Sequence, residues 1–256
     1  MNEIREYDSY LFYDKPIPYK DNLLIYPVTM DKYLEFHLYI NCLLLDKNSI
    51  PKPEVISMTY LQFLYYMAST TELPYLYMFK ELLKMVLHID DDSLFWFGTD
   101  SNGKAIFKIN NIIYDSDDFN KITDIIFIQN SIEHIDETIQ KEVRDAMDKA
   151  KVYKMKQNAY KMCSLEDQMI CVLISTPLKL QDIYELTIRK FSKILERVDH
   201  KLHYEIYLGA EMSGMVKFKD ENQIKHWMAD LTKSDNYEDV KVDADEMHHK
   251  IDDINK

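Results

Sequence analysis

The chain has 256 residues, 46% of them hydrophobic and 29% charged, and a formal net charge of −13. It is long enough to bury a real core and close enough to globular composition to exclude wholesale disorder. Its acid excess repels phosphate backbones and anionic lipid, so neither nucleic acid nor a membrane is expected as partner.

No run approaches the roughly 18 apolar residues of a membrane span. The opening stretch Met1–Asp8 is charged and has no apolar signal-peptide core, which predicts a cytoplasmic chain. The cysteines Cys42, Cys163 and Cys171 are widely spaced, with no CxxC. Reduced thiols are the simplest reading, and a disulfide between Cys163 and Cys171 is not expected in that compartment. There are 19 Tyr and 11 Phe against 4 Gly. Tyrosine has an apolar body and a polar tip, which suits contact surfaces; the alternative is the codon bias of an AT-rich genome.

In chain order, Tyr10–Tyr13 reads as irregular or strand-like, and Asp14–Pro18 as a proline turn. Leu23–Tyr26 suits an edge strand stopped by Pro27. Thr29 reads as an N-cap, with Tyr33, Phe36, Tyr39 and Ile40 at helical spacing as far as about Leu45. A proline loop follows from Asn48 to Pro53. Ser57 is placed to cap a helix of Tyr60, Leu61, Phe63, Leu64 and Met67, which is apolar nearly all round and so buried on more than one side. Pro74 opens another helix, through Leu76, Phe79, Leu83 and Val86 to about His88.

The clearest β signal comes next. Leu94–Phe97 and Ala105–Ile109 flank the turn residues Asp100–Gly103, which predicts a hairpin, with Ile112–Tyr114 as a third strand. Ser116 or Asp117 caps a helix from Phe119 to Asn130. Asp136 to about Met155 is a charged helix with a thin apolar stripe (Ile139, Val143, Met147), and marks an internal boundary. Ser164 and Asp167 form a capping box for a helix that Pro177 ends. Asp182 opens the longest helical pattern, to about Leu208, and Gly209 and Gly214 bracket a join. Gln223–Leu231 is a short helix carrying Trp227. The expected fold is therefore mainly α (α+β), with a small antiparallel hairpin or meander near 94–114. The expected divisions are 1–135, 136–233 and an acidic tail, 234–256.

No known catalytic motif stands out. With so few glycines there is no P-loop and no GxGxxG. His200 and His203, beside Asp199 and Glu205, share a helical face, but a catalytic zinc site needs a third ligand and a shielded cavity. His226 could supply that ligand; a polar exposed helix is the simpler reading. Ser213–Gly214 lacks the GxSxG frame, Cys42 sits among leucines, and Asp90–Asp92 lacks EF-hand spacing. The chain is expected to be no enzyme and to hold no metal or cofactor. Phe95, Trp96 and Phe97 in a row cannot all face one side of a strand, so at least one is exposed or covered by another element or chain.

Several stretches carry a resemblance. They are Phe119–Asn130, Ser164–Gln168, Leu186–Phe191, Met212–Val216 with His226–Trp227, and the region from Pro18–Tyr19 to Leu45. Together they resemble a family of uncharacterised proteins from the tail-gene regions of phages of low-GC Gram-positive bacteria. The resemblance implies a tail-assembly chaperone, or a tail or baseplate component, acting by protein–protein contact in the host cytoplasm or retained in the virion tail. It implies other phage tail proteins as partners, such as a tape-measure coiled coil, and self-association is a further expectation; it carries over no site residues. The rival reading is a phage factor that inhibits a host protein, its acidity imitating nucleic acid. The interface residues expected are Phe95, Trp96 and Phe97 of the hairpin, with Met212, Met215 and Trp227.

Overall fold

A computed structural model describes residues 3–47, 50, 52–133, 146, 149, 163–214 and 226–229. The protein is mostly helical with small antiparallel sheets, the mixed architecture expected. It divides into two units: Met1–Asp136 with Gln168–Val198, and Glu137–Asp167 with Asp199–Lys256. The expected charged helix from Asp136 and the acidic tail from Ser234 lie outside the described residues, apart from Met147's neighbours Ala146 and Lys149.

The first unit opens with α1 (Glu3–Phe12), which takes in most of Tyr10–Tyr13, a stretch whose sequence reads as irregular or strand-like. The reason is a distant one. The carbonyl of Leu11 accepts from Arg189 Nη1 at 2.9 Å and that of Phe12 from Lys190 Nζ at 3.1 Å. Two cations thus satisfy the free carbonyls at the helix's negative end. Strands β1 (Ile17–Tyr19) and β2 (Leu23–Ile25) form a two-stranded antiparallel ladder, closed by Asp21 and Asn22 at positive φ.

Thr29 precedes a 3₁₀ turn, Met30–Lys32, which leads into α2 (Tyr33–Tyr39) and a second 3₁₀ turn, Ile40–Cys42. After α3 (Pro53–Ile56), the helix α4 (Tyr60–Thr70) starts from Thr59 rather than Ser57. Thr59 and Gln62 complete a reciprocal capping box, whereas Ser57 Oγ closes the previous turn on the Glu54 carbonyl. Helix α5 (Tyr75–Leu87) ends at His88 in the left-handed conformation. It supplies Phe79, Leu82, Leu83 and Val86 to the core, each at most 1% exposed.

The predicted meander is present as β3 (Phe95–Thr99), β4 (Ala105–Ile109) and β5 (Ile112–Tyr114), in the order β3-β4-β5. Its first turn is built as the sequence implied. Asp100 Oδ1 accepts from the amides of Asn102 and Lys104, both at 2.8 Å, and Gly103 takes φ +77°. Helix α6 (Ser116–Asn130) is capped by Asp115, one residue ahead of the expected cap. Asp115 accepts from the amides of Asp117 and Asp118, while Asp118 reaches back to the Asp115 amide.

At its far end α6 carries two buried amides. Gln129 Nε2 donates to the Ile25 carbonyl at 2.9 Å, and Asn130 Oδ1 accepts from the Val28 amide at 3.0 Å. They satisfy backbone groups that would otherwise be buried without partners.

Helix α7 (Leu165–Ser175) starts from the expected Ser164–Asp167 box, with Asp167 N donating to Ser164 Oγ at 3.1 Å. The longest pattern does not begin at Asp182. A short helix α8 (Leu180–Glu185) comes first, and the chain breaks at Leu186–Thr187 before α9 (Ile188–Met212). The break has a tertiary cause. Thr187 forms an antiparallel bridge with Thr29, and the Met30 and Ile188 amides donate to Leu186 and Val28 carbonyls, each at 2.9 Å. These bonds hold the segment 168–198 on the first unit. Gly209 lies inside α9 rather than at a join, while Gly214 follows it in a turn at φ +69°.

Candidate functional site

The core beneath the meander is aromatic. Phe79 of α5 stands 5.7 Å from Phe97, 5.6 Å from Phe107 and 5.3 Å from Phe119, centroid to centroid, and Phe107 stacks on Tyr114 at 5.3 Å. Side chains alternate along a strand, so packing Phe97 inward sends its neighbour outward. Phe95, 8% exposed, also faces inward, and Trp96 stands on the opposite face. Of the three consecutive aromatics, therefore, Trp96 alone offers a broad open surface.

Register completes the outer face. Trp96 pairs with Lys108, and Lys108 with Ile113, giving one row across all three strands. Lys108 Nζ lies over the Trp96 ring, 4.8 Å from its centroid, a cation–π contact. Trp96 is 45% and Ile113 51% exposed. The indole lies flat along its own strand, over Gly98. A methyl group at residue 98 would overlap its Cη2 and Cζ2 atoms, so the glycine makes room for this rotamer.

Tyr65 of α4 fastens the hairpin from the side. Its hydroxyl donates to the Ile106 carbonyl at 2.6 Å and accepts from the Gly98 amide at 3.2 Å. Burial pushes its pKa up to about 12, partly offset by the Gly98 bond. The row is thus an amphipathic strip held on a stiff base: an apolar ring, a cation above it and an aliphatic side chain beyond.

Lys108, Ile113 and Gly98 were not singled out in the sequence. Period-two alternation combined with the register set by the Asp100–Gly103 turn was the signal that could have found them.

The second cluster of expected contact residues belongs to the other unit. Met212 ends α9, 80% exposed; Trp227 is 37% exposed; Met215 lies outside the described residues. Residues 226–229 form a turn where a helix was expected, with the Ala229 amide donating to the His226 carbonyl at 2.8 Å. His226 packs edge-on against Tyr204 at 5.2 Å and lies 5.9 Å from the Trp227 ring.

His200 Nε2 donates to the His226 carbonyl at 3.2 Å, and His203 Nδ1 lies 3.3 Å from Asp199. Among the described residues no group of three or more His, Cys, Asp or Glu is placed to hold a metal ion. Cys42 is buried, and burial pushes its thiol pKa up, while Cys163 and Cys171 are exposed and neither is in a disulfide.

A polar groove of about 480 Å³ lies between α2 and α5, lined by Lys32, Glu35, Tyr39, Glu81, Lys84, Met85, His88 and Asp90. Lys84 is already bound to Asp92 at 2.7 Å, and His88 stacks on Tyr26 at 4.0 Å. Among the described residues no helix is long and apolar enough to cross a membrane.

Residues 154–232 match the family described as YomV second domain, less than half of the chain. YomV is a Bacillus phage-region protein, so over this stretch the chain resembles a phage-type protein. Of the matched residues, 163–214 and 226–229 are described. No curated protein and no solved structure matches the chain.

Proposed function

We infer that this is a phage-encoded protein that works by protein–protein contact in building or forming the tail, with the Trp96–Lys108–Ile113 row as its contact surface. The observation that carries the reading is that row: a large aromatic and an aliphatic side chain held open on a sheet face whose other side buries Phe95, Phe107, Ile109 and Tyr114. Monomeric surfaces rarely keep such residues in line without a use for them, and tryptophan is prominent among residues that dominate binding energy. The match to a phage-region domain and the resemblance to tail-gene-region proteins supply the context. The partner expected is another tail protein presenting an apolar segment, such as a tape-measure coiled coil or a baseplate component.

Quantitative mass spectrometry of purified particles tests the tail role. Peptides of this chain at a fixed, near-integer copy number make it a structural component. Expression during infection with absence from particles fits a chaperone, provided a tail protein is captured with it. Capture of a host enzyme instead would replace the tail reading with the inhibitor reading.

A further inference from the structure

We propose that the partner meets this surface as an extended segment of a different chain, added to the open edge of β3 as a fourth strand. The inference rests on the contact reading above and specifies the partner's form. The hairpin's own bonding shows which groups are open. The Asn110 amide donates to the Leu94 carbonyl at 3.1 Å, and the Asp100 amide to the Lys104 carbonyl at 2.9 Å. In an antiparallel pair, residues alternate between facing their backbone groups towards the partner strand and away from it. Between those two bonds, Trp96 and Lys108 face each other, as do Gly98 and Ile106, the second pair bridged by Tyr65 Oη. The amides and carbonyls of Phe95, Phe97 and Thr99 therefore turn away from β4. The Phe95 amide closes back on the Asp92 carbonyl. Among the described residues the backbone groups of Phe97 and Thr99 have no partner.

These groups choose the occupant. An amide and a carbonyl recurring at every second residue fit an extended backbone, not a helix, whose own amides and carbonyls are bonded within it. Edges that are not meant to pair are blunted by shortness, a charge, a proline or a bulge. The other edge strand, β5, is three residues long; β3 is five, Phe-Trp-Phe-Gly-Thr, with no charge and no proline. Phe97 is only half-buried where its register partner Phe107 is 0% exposed, so an apolar residue on an added strand completes the cover. A second copy of β3 does not fit. Self-pairing that engages all the open groups is centred on Phe97 and sets two Trp96 side chains on one face, a strand spacing of about 4.8 Å apart. Each indole already lies flat along its own strand over Gly98, and two flat rings side by side need more width than that. The occupant is thus a segment of another chain, uncharged along β3 and small beside Trp96.

A benzophenone amino acid at Ile113, in cells producing particles, reads occupancy of the surface in three backgrounds: the unchanged chain, Thr99→Ala and Thr99→Pro. Proline at residue 99 removes an outward amide and no bond to β4. The product is expected to persist in Thr99→Ala and to fall about tenfold or more in Thr99→Pro, with the thermal melt of the purified variant unchanged. Amide hydrogen exchange gives a reading that needs no variant. In the purified chain the Phe97 and Thr99 amides are expected to exchange fast and those of Trp96 and Gly98 slowly; in the captured complex all four are slow. A product that persists in Thr99→Pro leaves the face as the contact surface and overturns strand addition. So does a product that is a second copy of this chain, or protection of the Phe97 and Thr99 amides in the purified chain. No product in any background overturns the contact reading and this inference together.

Discussion

Replacing Tyr65 with Phe removes one oxygen atom and leaves the ring, so no cavity forms. The oxygen bonds both strands of the hairpin, at the register pair Gly98–Ile106. Two hydrogen bonds at a net ~0.5–1.5 kcal/mol each make the expected loss about 1–3 kcal/mol. For a protein of this size that is a fall in Tm of roughly 3–10 °C. Urea unfolding followed by Trp96 fluorescence, in a Trp227→Phe background, reads the change where it occurs. The midpoint should fall with an unchanged slope. Alkaline pH gives a second reading. The phenol's folded pKa is raised to about 12 from 10.0. Its contribution is therefore fully present below pH 10 and is lost as pH rises through about 12. Tyr65→Phe should make stability fall less steeply across that window. A loss under about 0.5 kcal/mol with an unchanged alkaline profile would show that the hydroxyl does not hold the hairpin.

Gly98→Ala needs no unusual backbone angle, yet its methyl displaces the far end of the Trp96 indole. The expected stability change is within about 1 kcal/mol, with altered tryptophan fluorescence and weakened partner binding. Phe79→Ala removes the ring that contacts Phe97, Phe107 and Phe119, and is expected to cost about 3–5 kcal/mol in a thermal or urea melt. The Asp118 carboxylate is opposed by burial. The bonds from Lys20 at 3.0 Å, the Asp115 amide at 3.1 Å and Tyr19 Oη at 2.8 Å outweigh that burial and hold its pKa below the ordinary 3.8. A depressed folded pKa stabilises the fold above pH 3.8 and ceases to do so as pH falls through the folded value. Melts from neutral to strongly acidic pH should therefore show an acid loss that Asp118→Asn flattens, at the cost of lower stability near neutrality.

The parts of this fold legible in the sequence are those whose cause is local. The meander could be read because the Asp100–Gly103 turn and alternating apolar residues act over a few positions. The Ser164–Asp167 box and the proline-bounded helices could be read for the same reason. Two of the misreadings have a non-local cause: helix α1 is capped from Arg189 and Lys190, and the break before α9 is fixed by Thr29.

The outer face of the meander was half legible. Alternation required one of Phe95, Trp96 and Phe97 to face away from the others, but which one depended on where Phe79 packs. Gly98 has no sequence signature that tells of an indole lying across it.

The central claim is that the outer row of the meander meets a phage protein, and site-specific photo-cross-linking during particle production tests it most directly. A benzophenone amino acid at Ile113, 51% exposed on the row, is compared with one at Leu73, 56% exposed away from it. The account predicts one dominant cross-link from residue 113, to a tail protein, with none from residue 73 and loss of the product in the Gly98→Ala background. No product from residue 113, or the same products from both positions, would contradict it.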